Sequence, residues 1–299
     1  MRVFVTGASG WIGSAVVPEL IGAGHQVVGL ARSDASADAL AAAGAEVHRG
    51  SLDDLDALRE AAAASDGVIH LAFKHDIAFT GDFQGASDAD RRAIDAFGEV
   101  LAGSDRPLVI ASGTLGLSPG HVATEKDTAA AGSPRAANAE AALGLAVGGV
   151  RSSVVRLSPT VHGDGDKGFL ASLVSIARDK GVSGYIGDGA NRWTAVHRLD
   201  AATLFRLAVE KAPAGSVLHG VAEEGVPLRA IAEAIGRHLG LPVVPVAPED
   251  AAGHFTWMAD FLALDSPASN TLTRELLGWR PTHPGLIADL DAGHYFDGS

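Results

Sequence analysis

Residues able to do chemistry gather at two places in the first third of the chain. The first is Thr6-Gly7-Ala8-Ser9-Gly10-Trp11-Ile12-Gly13, with glycines three apart between an apolar run, Val3 to Val5, and a helix-forming stretch, Ser14 to Ile21. Glycines at that spacing turn the chain sharply, let backbone amides approach a diphosphate, and let a helix pack closely on a strand. Ser9, Gly10, Trp11, Ile12 and Gly13 then present amides and the positive end of a helix dipole to phosphate. The second place is His70-Leu71-Ala72-Phe73-Lys74-His75-Asp76, which leaves another short apolar run. The carboxyl ends of strands are where ligands bind in open α/β sheets. Leu71 and Ala72 are therefore expected against the nucleotide and Lys74 against a substrate. His75, with Asp76 behind it, is expected to carry a proton near neutrality.

The strand after the glycine turn, Gln26 to Leu30, completes a βαβ unit and says which nucleotide fits. An NAD site places a carboxylate at this strand's tip to hold the ribose hydroxyl, but here the tip reads Gly29-Leu30-Ala31-Arg32-Ser33. Ala31 takes the acidic position. Arg32 offers a fork of donors suited to a 2′-phosphate and Ser33 adds a hydroxyl, so NADP (NADPH) is favoured over NAD.

These groups need a scaffold, and the rest of the pattern supplies one. Helical stretches, Ala35 to Ala43, Leu55 to Ala64 and Asp88 to Ala102, alternate with short apolar strands, Ala45 to Arg49, Val68 to Leu71 and Leu108 to Ala111. Such alternation predicts an α/β fold with a doubly wound parallel sheet. In the helix from Asp88, the spacing of Ile94, Phe97 and Leu101 marks a packed face. Later come a strand at Val217 to Val221 and a helix at Pro227 to Leu239, with Leu228, Ile231, Ile235 and Leu239 at core spacing.

At 299 residues the chain can bury a large core and hold a second, smaller unit. Lys and Arg number 23 against 36 Asp and Glu, a net charge of −13 that disfavours nucleic acid and anionic membranes. The absence of cysteine removes disulfides, thiolate metal sites and a thiol nucleophile. No acidic cluster has metal-ligand spacing, so no metal is expected. A strand that begins at Arg2 leaves no room for a signal peptide, no apolar run spans a bilayer, and the expected location is cytoplasmic.

The Thr-Gly-x-x-Gly-x-x-Gly spacing resembles that of the extended short-chain dehydrogenase/reductase superfamily, which includes sugar-nucleotide epimerases and dehydratases. The resemblance runs nearly end to end. Gly50-Ser51-Leu52-Asp53 matches the turn that packs on the adenine, with Ser51 in place of the usual acid and Leu52 over the ring. Ser112, at the end of the fifth strand, matches the hydroxyl that holds the reacting carbonyl, with Thr114 as second candidate. Val154 to Gly163 resembles the sixth strand and its exit, where Pro159 backs the nicotinamide and His162 replaces a tyrosine. Ala195-Val196-His197-Arg198-Leu199-Asp200 and Leu276-Leu277-Gly278-Trp279-Arg280-Pro281 resemble the returning and closing segments.

One part of the pattern is missing. Where the family has Tyr-x-x-x-Lys, tyrosine moving the proton and lysine lowering its pKa, this chain has Arg135 and Ala139. The only tyrosines are Tyr185 and Tyr295. Arginine keeps its proton at working pH, so Arg135 can polarise a carbonyl or clamp an anion, and cannot be an ordinary acid. Losing a positioned acid costs about 10² to 10⁴ in rate, so His162, His75 or Tyr185 would have to supply the proton. The chain looks like the atypical subgroup that keeps the glycine motif without the standard pair.

The resemblance implies a Rossmann-type NADP-binding domain over residues 1–163, with a returning segment near 195–222, and a smaller substrate-binding lobe over 164–299. Asp164 to Trp193 carries six glycines, with Tyr185 and Trp193 as pocket-lining candidates. His254, Phe255, Trp257 and Phe261 are expected to pack that lobe. A homodimer is the family's common state. The function expected is NADP-dependent hydride transfer to or from a small carbonyl, or an iminium that needs hydride alone. The alternatives are a catalytically silent NADP-binding redox sensor and a sugar-nucleotide epimerase or dehydratase.

Overall fold

In the computed structural model, which describes residues 1–78, 80–117, 120–129 and 132–297, the strands follow the alternation read above. In chain order they are β1 (Arg2–Thr6), β2 (Gln26–Ala31), β3 (Glu46–Arg49), β4 (Gly67–His70), β5 (Pro107–Gly113), β6 (Arg151–Leu157), β7 (Thr160–His162), β8 (Ser183–Ile186), β9 (Arg192–His197), β10 (Ser216–Gly220), β11 (Glu223–Pro227) and β12 (Val243–Val246). Seven of them form one parallel sheet in the order β10-β6-β5-β4-β1-β2-β3. Chain order reverses between β1 and β4. This is the switch point where a doubly wound sheet opens a crevice for ligands.

Alternation along β1 explains the two layers. Val3 and Val5 point into a core built with the helices Gly13–Gly22 and Arg198–Lys211, whereas Phe4 points into the opposite core. That second core holds Leu58 of the helix Leu55–Ala63 and Ile94, Phe97 and Leu101 of the helix Phe83–Leu101. The helix expected from Asp88 begins earlier, at Phe83. The Asp82 side chain caps it by accepting from the Gly85 amide at 2.8 Å, a local signal that apolar spacing does not carry.

The remaining strands build the lobe as a three-stranded sheet, β11-β9-β7, and a parallel pair, β12-β8. Trp193, Ile231, Phe255 and Leu286 share its core. Phe255 is buried, and Trp257 and Phe261 pack on Phe169 at ring distances of 5.7 and 5.5 Å. The expected lobe boundary at 163/164 falls just past β7, and residues 298 and 299 lie outside the described residues. Among the described residues no helix is long and apolar enough to cross a membrane.

Two glycines of the turn are fixed by space. A Cβ on Gly13 would sit 2.1 Å from the Gly7 carbonyl oxygen. On Gly7, whose φ is +65°, it would meet the Ala72 nitrogen at 2.8 Å. By contrast, a Cβ on Gly22, in the same helix, meets nothing within 4 Å. Gly13→Ala is therefore expected to cost about 1–3 kcal/mol or more, read as a lower urea midpoint. Gly22→Ala leaves that midpoint in place.

Candidate active site

β1 delivers the turn, and the turn leaves amides open. Gly10 N donates to the Gly7 carbonyl at 2.9 Å, whereas the amides of Trp11, Ile12 and Gly13 take no acceptor from the described chain. These uncapped donors, at the start of a ten-residue helix, fit a dinucleotide diphosphate. Ser9 is exposed at the same rim.

At the β2 tip, Ser33 caps the helix Asp34–Ala42 by accepting from the Ser36 amide at 3.2 Å. Arg32 is 73% exposed and only loosely paired, 3.6 Å from Asp76. The register of β2 and β3 puts Arg49 beside Ala31, and its guanidinium donates to Asp34 at 2.7 Å. Two arginines and a helix start thus surround the position where an NAD site keeps its acid. Arg49 was not singled out from the sequence, although the last residue of a strand adjoining β2 is a place to look.

The exits of β4 and β5 bring Ser112, Arg135 and His75 together. Arg135 opens the helix Pro134–Gly144, which Ser133 caps. Its guanidinium lies 4.2 Å over the Phe73 ring and donates through Nη2 to the Ala111 carbonyl at 2.9 Å, next to Ser112. Phe73 also meets His75 edge-on at 5.1 Å. Burial lowers the Arg135 pKa against the pull of Asp90. The His75 pKa is lowered as well, first by burial and then by the Arg135 charge, with Asp76 opposing.

Beneath this corner runs a buried polar chain. The Thr6 hydroxyl shares a 2.6 Å hydrogen bond with His70 Nδ1 and accepts from the Ala72 amide at 3.3 Å. His70 Nε2 meets Asp90 at 3.0 Å, and Asn138 donates to the other Asp90 oxygen and to the Ser87 carbonyl, each at 2.8 Å. The turn is thereby linked to the helix that carries Arg135. Burial works to raise the Asp90 carboxyl, but the His70 hydrogen bond and the charges of His70 and Arg135, with Asn138, hold it below its usual value. The sequence did carry a signal for this residue: Asp90, Ile94, Phe97 and Leu101 share one helical stripe, so a carboxylate sits at core spacing.

Several expected site residues lie elsewhere. His162 has no exposed surface. Its Nδ1 is bonded to Asp289 at 2.9 Å, so it serves the packing of β7 against the helix Leu286–Asp291 and does not face the cleft. Thr114 is also fully buried and pairs with Thr194 at 3.0 Å, joining sheet to lobe. Trp193 is a core residue of the lobe with no exposed surface to line a pocket. Tyr185 belongs to the β12-β8 pair, with Arg229 5.6 Å above its ring. Lys74 is spent on Asp53, at 2.6 and 2.7 Å from its two oxygens. Ser51 accepts from the Asp53 amide at 3.2 Å. Leu52 is 7% exposed and packs with the Phe4 core, which leaves little of it to cover an adenine. Leu71, Ala72 and Pro159 are half-buried at the carboxyl edge.

Comparisons with known proteins fit this geometry. The sequence profile of the NAD dependent epimerase/dehydratase family matches residues 3–82. An uncharacterized protein of Schizosaccharomyces pombe is 49% identical over 298 residues, covering 99% of this chain and 100% of that protein. A farnesyl-dihydroquinoline-1-oxide ketoreductase of Stigmatella aurantiaca is 27% identical over 232 residues, covering 73% of this chain and 67% of its own. Among solved structures, a UDP-glucose 4-epimerase of Thermotoga maritima, with UDP-glucose, superposes with a TM-score of 0.79 at 19% identity, covering 99% of this chain and 98% of that one. Residues 3–82 carry the NAD dependent epimerase/dehydratase family pattern, and the chain as a whole is homologous to the Schizosaccharomyces pombe protein and has the fold of the solved epimerase.

Because its folded pKa is depressed, Asp90 contributes stability that is present above the unfolded carboxylate pKa of about 3.9 and is lost as pH falls through the folded value. Asp90→Asn leaves an acceptor oxygen for only one of the two neighbours, Asn138 or His70, that the carboxylate serves together. It is expected to cost about 2–4 kcal/mol at pH 7 and less at pH 3, measured by urea unfolding at both pH values.

Proposed function

We propose that this protein is an NADP-dependent oxidoreductase that moves hydride between the nicotinamide and the carbon of a small carbonyl or iminium substrate. The bound nicotinamide would supply or accept the hydride. One observation carries the reading: Arg135 stands on the Phe73 ring beside Ser112, at the place where the family keeps its tyrosine.

The chain's own residues divide the work. No carboxylate lies within ion-pair distance of Arg135 among the described residues, so its charge is available to an oxygen that gains negative charge during reduction. Ser112, half-buried beside it, holds the same oxygen through its hydroxyl. His75 carries the proton: its pKa is lowered, so at pH 7 the neutral imidazole that predominates takes a proton in the oxidation direction, and reduction draws on the protonated fraction that grows as pH falls. Substrates that arrive as iminium ions need only the hydride.

The paired Arg32 and Arg49 and the alanine at position 31 support NADP over NAD. The ketoreductase relative supports carbonyl chemistry. A second reading, a sugar-nucleotide epimerase or dehydratase, is favoured by the likeness to the UDP-glucose epimerase fold. Against it stand Arg135 and Ala139, which leave that chemistry without its usual proton carrier.

Oxidation of NADPH, followed at the nicotinamide absorbance with a panel of aldehydes, ketones, imines and enones, tests the proposal. Turnover with a carbonyl or imine is expected. Cofactor binding with no turnover across the panel would favour the silent redox sensor. Arg135→Ala should lower kcat/KM by about 10²–10³-fold, with Arg135→Lys between the two. Carbonyl reduction should slow as pH rises through a value below 6.5, where His75 loses its proton, and His75→Gln should flatten that limb. Arg32→Ala should weaken NADPH about tenfold and leave NADH unchanged, as measured by calorimetry.

A further inference from the structure

The glycine turn has a second guanidinium beside it, that of Arg198. Trp11, within the turn, reaches towards the lobe: its Nε1 donates to the Val161 carbonyl of β7 at 2.8 Å. A Cβ on Gly165 would lie 3.8 Å from the same indole, so the loop after β7 runs across it. Over the ring stands Arg198, its Cζ 4.4 Å from the centroid. The stem of Arg198 lies along Gly163, where an added Cβ would be 3.4 Å from Cγ.

Topology sets both groups at the ligand edge of the sheet. Arg198 opens the helix Arg198–Lys211, which leads into the parallel strand β10 and so runs antiparallel to the strands, as Gly13–Gly22 does between β1 and β2. The two helices pack side by side. Their amino ends therefore share the carboxyl edge, one carrying the open turn amides and the other carrying Arg198.

The Arg198 charge is not neutralised from within. In a chain with 36 acidic residues, none comes within 4 Å of this guanidinium among the described residues. The nearest loop holds Asp166, but that carboxylate is taken by the Gly168 amide at 2.7 Å and by Tyr295 Oη, which donates at 3.1 Å. A half-buried cation over an aromatic face, itself in the same turn as amides that have no acceptor, lacks an anion. We infer that Arg198 binds the cofactor's diphosphate from the lobe side, facing the turn amides across it. Trp11 is the rigid plate that holds the guanidinium there, so its donors are already oriented when the dinucleotide arrives.

The inference rests on dinucleotide binding at the glycine turn and is independent of carbonyl turnover. Calorimetric titration of wild type and Arg198→Met with NADPH, ADP-ribose and adenosine 2′-monophosphate tests it, since the last ligand has no diphosphate. Arg198→Met keeps an unbranched stem along Gly163. NADPH and ADP-ribose should each weaken about 10–100-fold, while adenosine 2′-monophosphate is unchanged. Arg198→Lys should retain part of the loss-free affinity, and added salt should weaken NADPH less in Arg198→Met than in wild type. Equal affinity of the two proteins for NADPH would overturn the inference, and so would equal weakening of all three ligands with a lower melting temperature. Failure of the wild type to bind NADPH or NADH would instead remove the dinucleotide reading on which it stands.

Discussion

The close approach of the glycine turn to the β4 exit is the constraint on which the rest depends. Gly7 sits so near Leu71 and Ala72 that a single added carbon would lie under 3 Å from their backbones. The contact does more than shape a phosphate turn. It locks the place where β1 ends to the place where β4 ends, and Phe73 and His75 follow directly from there. Arg135 then takes its position from Phe73 and from the Ala111 carbonyl. A displaced turn would move the surface on which the unusual arginine rests.

Below that contact, the Thr6-His70-Asp90-Asn138 chain joins the same parts through hydrogen bonds. Buried polar groups stabilise little on balance, yet each one left without a partner is costly. Such a chain therefore selects among arrangements of the strands and helices more than it adds to net stability. Here it selects the one in which Asp90 lies near Arg135 without pairing with it. That leaves the guanidinium attracted by Asp90 without an ion pair to it.

The fold was legible because its signals are local and repeated. Short apolar strands, glycine turns and alternating helices fix a doubly wound sheet, and the order of motifs carried the family. The site was legible only in part. Ser112, Arg135 and His75 converge because each sits at the carboxyl end of a strand or the start of a helix, which topology alone places. His162 and Trp193 misled because sequence gives the strand but not which of its two faces a side chain takes, and Thr114, just past β5, because its partner Thr194 is remote in the chain; each turns into packing. Lys74 misled for another reason, since the partner that takes its charge, Asp53, lies on a separate turn. Arg198 shows the converse: its meaning depends on a ring far away in the chain, Trp11, and spacing cannot reveal that contact.

Exchanging a tyrosine for an arginine changes what the site can ask of its substrate. A phenol gives a proton and becomes charged, so it follows the reaction. A guanidinium is charged before, during and after. It stabilises an oxyanion electrostatically but cannot discharge it, and the stabilisation is greatest where the aromatic face and partial burial keep water away. In the proposed hydride transfer the proton would come from a separate group, and hydride and proton transfer would be separable in space. This division suits substrates whose oxygen needs holding more than protonating, or whose nitrogen already carries the proton. On the same proposal Ala139 fits its place: with no phenol to acidify, an ammonium there would only repel the Arg135 guanidinium.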